Sequence, residues 1–215
     1  KLIGAVSVAI WDAYKKRLVL ARGRIGKKPL FYLERNGSVI FASDIKSILA
    51  YAKDLQIDET AIDCYLTHIC VPQAHAIFKG VKKVPPAHYT VFDKNITKSE
   101  RYWHLSFKNK NAMDLGQCFD ETLNLLKISI KDRMNSDVPM GLFLSGGIDS
   151  SLVAALLSQL SSSRIKTFSV GFNYQQYNEL PFAKKVADKY NTEHHEFTLE
   201  ADYLEILPRL VWEYG

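Results

Sequence analysis

The spacing of hydrophobic and polar residues divides the chain into two parts with different periods. In the first part, short apolar runs alternate with polar turns, which is typical of hairpins and antiparallel sheets. The dipeptide Asn36-Gly37 favours a tight hairpin turn. Ser43 and Asp58 are N-cap candidates for short helices over 46–52 and 59–68. The strands are predicted at 5–11, 18–21, 30–33, 39–42 and 88–92.

In the second part, strand-like runs alternate with helical ones. A long helix ending near Met134 is predicted from the apolar residues Phe119, Leu123, Leu126 and Ile130. Strands separated by helices indicate βαβ units and a parallel sheet. The strands are predicted at 141–144, 165–170 and 196–199, and the helices at 149–160, 180–190 and 203–214.

A polar, aperiodic stretch over 106–115 lies between the two patterns and is interpreted as a linker. It predicts one domain over 1–106 and a second over 107–215. A length of 215 residues is compatible with one or two domains. Because 47% of the residues are hydrophobic and 24% charged, we expect packed cores rather than disorder.

Charge and cysteine content narrow the class of protein. The net charge is +5, but the basic residues are scattered, so no nucleic-acid partner is predicted. The cysteines are odd in number and form no C-x-x-C pair, which favours a reduced, cytoplasmic protein: Cys64, Cys70 and Cys118. No apolar run approaches the roughly 18 residues of a transmembrane helix, so no membrane partner is predicted.

The candidate chemistry lies where the strand at 141–144 passes directly into a helix through Ser145-Gly146-Gly147. Two glycines permit positive φ and leave no Cβ in the path of a ligand. Successive amides and the positive end of the helix dipole can then face one anion. Serine hydroxyls would add donors, so the sequence predicts a phosphate-binding loop at the carboxyl end of a parallel strand.

Asp149 follows this loop and carries a negative charge into the first turn of the helix. A carboxylate beside a polyphosphate is repulsive unless a cation lies between them, and Mg²⁺ would resolve the conflict. The alternative is that Asp149 only stabilises the helix N-terminus. The loop is not of the Walker type, because no lysine lies between Arg133 and Arg164.

The motif "FLSGGIDSSLVAAL" resembles the pyrophosphate loop of the asparagine synthetase family. The segments "IKTFSVGF" and "YNELPFAKKVADKYNTEHHEFTL" resemble the strand, helix and strand that follow it in that family. Earlier in the chain, "GAVSVAIWD", "LVLARGRIGKKPLFY" and "FASDIKSILA" resemble its glutamine amidotransferase domain of the N-terminal-nucleophile type. The resemblance covers nearly the whole chain in the family's order.

The resemblance implies a partial antiparallel sandwich followed by a partial Rossmann-like parallel sheet with flanking helices. It implies an ATP-dependent ligase that adenylates the aspartate side chain, releases pyrophosphate and transfers ammonia from glutamine to give asparagine. A related amidotransferase or β-lactam-forming ligase that uses another carboxylate remains open, as does a degenerate nucleotide-binding scaffold. ATP, Mg²⁺, glutamine and aspartate are the implied small molecules, and a homodimer is a candidate state.

The resemblance also assigns roles to individual positions. The pyrophosphate and metal would be held by Ser145, Gly146, Gly147, Asp149 and Ser150, with Asp149 as the metal ligand. Leu144 and Val170 would flank adenine, although core packing is the equally weighted alternative for both. The catalytic residues are unknown, because no cysteine here matches the family's nucleophile, which is the first residue of its mature chain.

Departures from the family limit what these residues can do alone. Lys1 aligns within the amidotransferase domain, so we expect a piece truncated at both ends that is inactive by itself. A further ATP-pocket segment would follow Gly215. Gly23 stands where the family usually shows aspartate, and we expect this change to loosen a turn. Asn178 stands where the family often shows aspartate, which puts a substrate role for the loop that contains Asn178 in doubt.

Other conspicuous side chains receive structural interpretations. His194 and His195 would point to opposite faces of a strand and therefore not share a metal. Arg22 and Arg24 are open between a buried ion pair, an inter-domain surface and plain exposure. The sheet core is expected to contain Trp11, Phe31, Tyr32 and Phe41.

Overall fold

The computed structural model describes residues 4–73, 75–94, 96–108, 110, 112–174, 176, 178–199 and 203–214. The chain divides into two compact units: the described residues up to 108 together with 211–214 form the first, and those from 110 to 210 form the second. Antiparallel sheets form the first unit and a parallel sheet with helices forms the second, which confirms the predicted fold class. Within the described ranges, no helix is both long and apolar enough to cross a membrane.

The first unit contains two antiparallel sheets and two short helices. One sheet has the strand order β1-β2-β6-β7 and the other the order β4-β3-β5. All neighbouring strands run antiparallel. The elements are β1 (Ser7–Asp12), β2 (Arg17–Arg22), β3 (Phe31–Arg35), β4 (Ser38–Ala42), α1 (Ile45–Tyr51), α2 (Glu59–His68), β5 (Val81–Lys83), β6 (His88–Asp93) and β7 (Ile96–Arg101).

Turn and cap chemistry explains where these elements begin and end. Asn36 and Gly37 have φ values of 51° and 71°, as a two-residue hairpin of the type I′ class requires. Asp58 caps α2 as predicted, accepting the Thr60 amide at 3.0 Å. The prediction that Ser43 caps α1 is wrong. The next residue, Asp44, is the cap, and its carboxylate accepts a hydrogen bond from the Lys46 amide in the first turn of α1.

Only part of the expected aromatic core is buried. Tyr32 is 7% exposed and packs edge-on against Phe92, with ring centroids 5.2 Å apart, while Phe31 is partly buried against a second cluster. The prediction is wrong for Trp11 and Phe41, which are 62% and 41% exposed. Both belong to edge strands, β1 and β4, so each has a neighbouring strand on one side alone among the described residues.

Arg22 is buried without a carboxylate partner among the described residues. Its guanidinium donates to the carbonyl oxygens of Lys28 at 2.9 Å, Gly26 at 2.6 Å and Val84 at 3.0 Å. Burial lowers the pKa of Arg22 from its ordinary value. Arg22 therefore forms neither an ion pair nor an exposed surface, whereas Arg24 is exposed, with its guanidinium carbon 5.6 Å from the Trp103 ring centroid.

Gly23 lies in the same turn and is held by backbone hydrogen bonds. Its amide donates to Val6 O at 2.9 Å, and its carbonyl accepts from the amides of Gly26 and Ala87. A Cβ at this position would lie 3.2 Å from Val6 O. Backbone hydrogen bonds thus hold the turn on both sides of Gly23, and the expected loosening relative to aspartate stays a prediction.

The second unit is a three-stranded parallel sheet with the strand order β10-β9-β8. Its first helix begins inside the predicted linker, because Asp114 and Gln117 form a capping box. The last strand begins at Glu193, earlier than predicted. The elements that follow residue 110 are α3 (Leu115–Met134), β8 (Gly141–Phe143), α4 (Ile148–Leu160), β9 (Lys166–Phe172), α5 (Leu180–Lys189), β10 (Glu193–Leu199) and α6 (Tyr203–Tyr214), of which α6 belongs to the second unit as far as Leu210.

The helices α4 and α5 share one face of this sheet, since they pack against each other and the strand order advances in one direction. Small side chains let them approach closely, and Leu144 packs in a cluster with Ala154, Ala183 and Ala187. On the opposite face Phe143 and Phe197 are 79% and 55% exposed. The loop after β8 is thus held between a strand and two closely packed helices.

Candidate functional site

The Ser145–Gly147 loop leaves the carboxyl end of β8 and leads into α4. Gly147 is the N-cap of α4 and has extended backbone angles, with φ −70° and ψ 165°. Ligands of open parallel sheets bind beyond the carboxyl ends of the strands. The loop therefore stands where the sequence predicted an anion site.

Gly146 is required by geometry on two counts. Its φ of 78° lies in the left-handed region, which side chains disfavour. A Cβ there would also lie 2.5 Å from the carbonyl carbon of Phe182 and 2.6 Å from the amide nitrogen of Ala183. The loop consequently rests directly on the backbone of the first turn of α5, which fixes its position.

Serine hydroxyls hold the loop from inside. The Oγ atoms of Ser145 and Ser150 are 3.0 Å apart, and the Ser150 hydroxyl donates to Gly147 O at 3.2 Å. The Gly147 amide donates to Ser145 Oγ at 3.3 Å. The Oγ of Ser151 is buried and has no hydrogen-bond partner among the described residues. These hydroxyls order the turn while leaving the amides that follow Gly147 available.

The first turn of α4 presents those amides without a side-chain cap. The amide of Ser151 makes the first intrahelical bond, to Gly147 O at 3.0 Å. The amides of Ile148, Asp149 and Ser150 therefore lack intrahelical acceptors, and the helix dipole adds partial positive charge there. This combination of rigid turn and free donors is suited to binding an anion.

Asp149 is exposed and makes no hydrogen bond or ion pair with a described residue. Its carboxylate forms no capping bond to the backbone of α4. The described ranges contain no group of three or more His, Cys, Asp or Glu side chains able to hold a metal ion. One free carboxylate beside helix amides without intrahelical acceptors fits Mg²⁺, which is often held by one or two carboxylates together with substrate phosphates.

Leu144 and Val170 are not brought together. The Leu144 side chain is 2% exposed in the core, its amide donates to Phe168 O at 2.8 Å, and its carbonyl accepts the Ser169 hydroxyl. Val170 is 40% exposed. Since successive residues of a strand point to opposite faces, Val170 points away from the face that Ser169 shares with Leu144. Of the two roles weighed for Leu144, core packing therefore describes its side chain.

The support from α5 was not anticipated from the sequence. The carboxamide oxygen of Asn178 accepts the Leu180 amide at 3.1 Å and so begins the helix. A Cβ on Gly171, in β9, would lie 2.4 Å from Leu180 Cδ1. Together with Gly146, this glycine lets the loop after β8 and the end of β9 approach α5 closely. The sequence did contain a signal for this support, because Gly146 and Gly171 occupy corresponding positions at the carboxyl ends of neighbouring strands.

His194 and His195 do point to opposite faces. His194 Nδ1 lies 2.9 Å from Thr167 Oγ1, whereas the His195 ring stacks on Phe168 with centroids 5.1 Å apart. They therefore cannot share one metal ion in this arrangement.

Two family sequence profiles match the chain in succession. The profile described as a glutamine amidotransferase domain matches residues 1–103, and the profile described as asparagine synthase matches residues 121–215. The two matches follow each other in the order of the antiparallel and parallel units.

Individual relatives carry the same combination. The glutamine-hydrolyzing asparagine synthetase 1 of Bacillus subtilis is 33% identical over 100% of this chain and 34% of its own length. A Methanocaldococcus jannaschii protein provisionally named glutamine-hydrolyzing asparagine synthetase 2 is 32% identical over 98% of this chain and 42% of its own. The chain thus spans between a third and a half of the length of these relatives.

Among solved structures, an NH3-dependent NAD synthetase from Campylobacter jejuni aligns with 47% of this chain and 42% of its own at 23% identity. The TM-score is 0.31, which is too low to establish a shared fold.

Proposed function

The chain belongs to the glutamine-hydrolysing asparagine synthetase family, and on that premise we propose that the protein is an ATP-dependent amide-forming ligase. In the proposed reaction, the aspartate side chain is adenylated by ATP and pyrophosphate leaves. Ammonia derived from glutamine then displaces AMP and gives asparagine. The observation that carries the proposal is the uncapped first turn of α4, fixed behind Gly146 at the carboxyl end of β8.

The loop is proposed to bind the pyrophosphate that leaves. Negative charge builds on the β- and γ-phosphates as the bond to the α-phosphate breaks, and preorganised donors stabilise such charge. The donors would be the amides after Gly147 and the hydroxyls of Ser145 and Ser150, while Gly146 holds the turn in place. A lysine on the γ-phosphate is not needed for this reaction, because the terminal phosphates depart together.

Asp149 is proposed to hold Mg²⁺ against the phosphates. When bound, the ion supplies the positive charge that lets a carboxylate lie beside a polyphosphate. The carboxylate is suited to this role because it is exposed and free of any partner among the described residues. Its place in the first turn of α4 puts it next to the same amides.

Val170 is proposed to contact adenine through its exposed side chain. Any contact from Leu144 would be made by its backbone, because the side chain is buried.

We further propose 1–106 as the amidotransferase part and 107–215 as the synthetase part. A cytoplasmic location and a homodimer remain predictions of the sequence.

The test is aspartate-dependent release of pyrophosphate from ATP, measured in the natural protein that contains these residues. Pyrophosphate and AMP should form in equal amounts, and mass spectrometry should detect asparagine when glutamine is added. A panel of other carboxylates tests the acceptor. Release of ADP and phosphate, or pyrophosphate release that no carboxylate stimulates, would contradict the proposed reaction.

A further inference from the structure

A cavity of about 470 Å³ lies at the end of the second unit remote from the Ser145–Gly147 loop. It is open to solvent on one side and bordered by the carboxyl-terminal parts of α3 and α4 and by the first residues of β8 and β9. Because β8 is parallel to β9, the cavity is at the amino edge of the sheet and the loop is at the carboxyl edge. The cavity is therefore separate from the proposed ATP site.

The floor of the cavity is apolar. Ile130 is 8% exposed, and the surrounding aliphatic side chains are half-buried. The volume falls within the roughly 300–1,000 Å³ of small-molecule pockets. The aliphatic floor residues are Ile130, Leu142, Val153, Leu157 and Ile165. Such a floor favours a ligand with an apolar body.

The rim carries three cations, Arg133, Arg164 and Lys166, and the lining contains no carboxylate. The Nζ of Lys166 lies 3.7 Å from Oε1 of Glu193. The guanidinium groups of Arg133 and Arg164 form no ion pair with a described residue. The positive charge of the two arginines is therefore not neutralised within the described part of the chain.

Both guanidinium groups retain unused donors. Arg133 Nη1 donates to Ser129 O at 2.8 Å and to Ser129 Oγ at 2.7 Å. Arg164 donates through Nε to Asn191 O at 3.1 Å and through Nη2 to Thr192 O at 2.9 Å. An arginine has five N–H donors, so each side chain is oriented by two bonds and can still bind an oxyanion.

Helix dipoles oppose this charge only in part. The carboxyl ends of α3 and α4 each bring about half a negative charge. The positive charge of Arg133, in the last turn of α3, offsets the partial negative charge at the end of that helix. Arg164 and Lys166 lie outside any helix and leave a net positive rim.

We propose that this cavity binds a small amphipathic carboxylate, with its apolar body on the aliphatic floor and its carboxylate at Arg133 and Arg164. The site is independent of the proposed ligase reaction, since it shares no residue with the Ser145–Gly147 loop. A neutral or cationic molecule with the same body would lack the charged contact.

The experiment is isothermal titration of the 215-residue chain with octanoate, octan-1-ol and octyltrimethylammonium, all below their aggregation concentrations. Octanoate should bind saturably at one site, and pyrophosphate should not displace it. Arg133→Gln should weaken octanoate binding about tenfold, because a charge-assisted hydrogen bond is lost. The matched control is Lys131→Gln, which removes the same charge from the same turn of α3 outside the cavity and should change affinity less than about twofold.

Three outcomes would overturn the proposal. The first is absence of saturable octanoate binding. The second is binding of octyltrimethylammonium as tight as that of octanoate. The third is a loss with Lys131→Gln equal to that with Arg133→Gln.

Discussion

The turn that follows Arg22 and the turn that follows Leu144 each depend on a glycine with positive φ. Gly26 has a φ of 68°, and a Cβ there would lie 2.7 Å from Pro86 Cγ. Gly146 has a φ of 78°, and its Cβ would lie 2.5 Å from a backbone atom of Phe182. Both turns are therefore fixed by close packing that only glycine allows.

The two turns differ in what happens to their polar groups. In the first, the Arg22 guanidinium donates to the carbonyls of Gly26, Lys28 and Val84, so donors and acceptors meet within the fold. In the second, the leading amides of α4 and the carboxylate of Asp149 lack partners among the described residues. A rigid turn with satisfied groups stabilises the fold, whereas one with free groups can bind a ligand.

A large loss of stability is expected at Arg22. Arg22→Met removes the donor but leaves its carbonyl acceptors buried, so the free energy of unfolding should fall by about 3 kcal/mol. Urea denaturation followed by tryptophan fluorescence measures the loss. Arg24→Met, at the neighbouring exposed arginine, should cost less than about 1 kcal/mol. Equal losses in the two variants would refute the structural role assigned to Arg22.

The glycines provide the sharpest contrast between the turns. Gly146→Ala should cost about 2–4 kcal/mol, because left-handed strain adds to a clash with backbone. It should also weaken pyrophosphate binding, measured by titration calorimetry, at least about tenfold. Gly26→Ala should destabilise the protein but leave pyrophosphate affinity unchanged. A comparable loss of affinity in both variants would remove the distinction between the turns.

A smaller effect is expected at Ser145. Ser145→Ala removes hydroxyl contacts to Ser150 Oγ and the Gly147 amide, which is worth about 1 kcal/mol of stability. Pyrophosphate affinity should fall about fivefold. Ser158→Ala is the matched control, because this hydroxyl also bonds within α4 but lies far along it. If the control weakened pyrophosphate binding as much, the hydroxyl of Ser145 would have no specific role.

Local patterns predicted most elements of the fold. Asn36-Gly37 specified its turn and Asp58 its helix, because the determining contacts lie within a few residues. Exposure of Trp11 and Phe41 was missed because it depends on which strands form sheet edges. The predicted N-cap of α1, Ser43, was wrong by one residue, since the cap is Asp44.

The candidate site was predicted in part for the same reason. The Ser-Gly-Gly motif and its position after a parallel strand could be read from local sequence. The support that makes Gly146 obligatory comes from Phe182 and Ala183, on a helix that lies beyond the next strand. Burial of Leu144 likewise depends on that helix, so neither feature was accessible from spacing alone.

The central claim is that Asp149 holds a metal ion at the pyrophosphate loop rather than stabilising α4. Asp149→Asn keeps a similar shape and removes the charge, so stability should change by only a few tenths of a kcal/mol. Asp188→Asn, at an exposed aspartate of α5, is the control for loss of one negative charge.

The decisive measurement is the affinity of the 215-residue chain for pyrophosphate with and without Mg²⁺, determined by titration calorimetry. In the unmodified chain and in Asp188→Asn, Mg²⁺ should strengthen binding about tenfold or more, as expected for a direct ligand charge. In Asp149→Asn this enhancement should disappear, metal-free binding should become tighter because the repulsion between carboxylate and phosphate is removed, and the melting temperature should remain nearly unchanged. An undiminished Mg²⁺ enhancement in Asp149→Asn would contradict the metal role and leave the loop as a phosphate cradle alone.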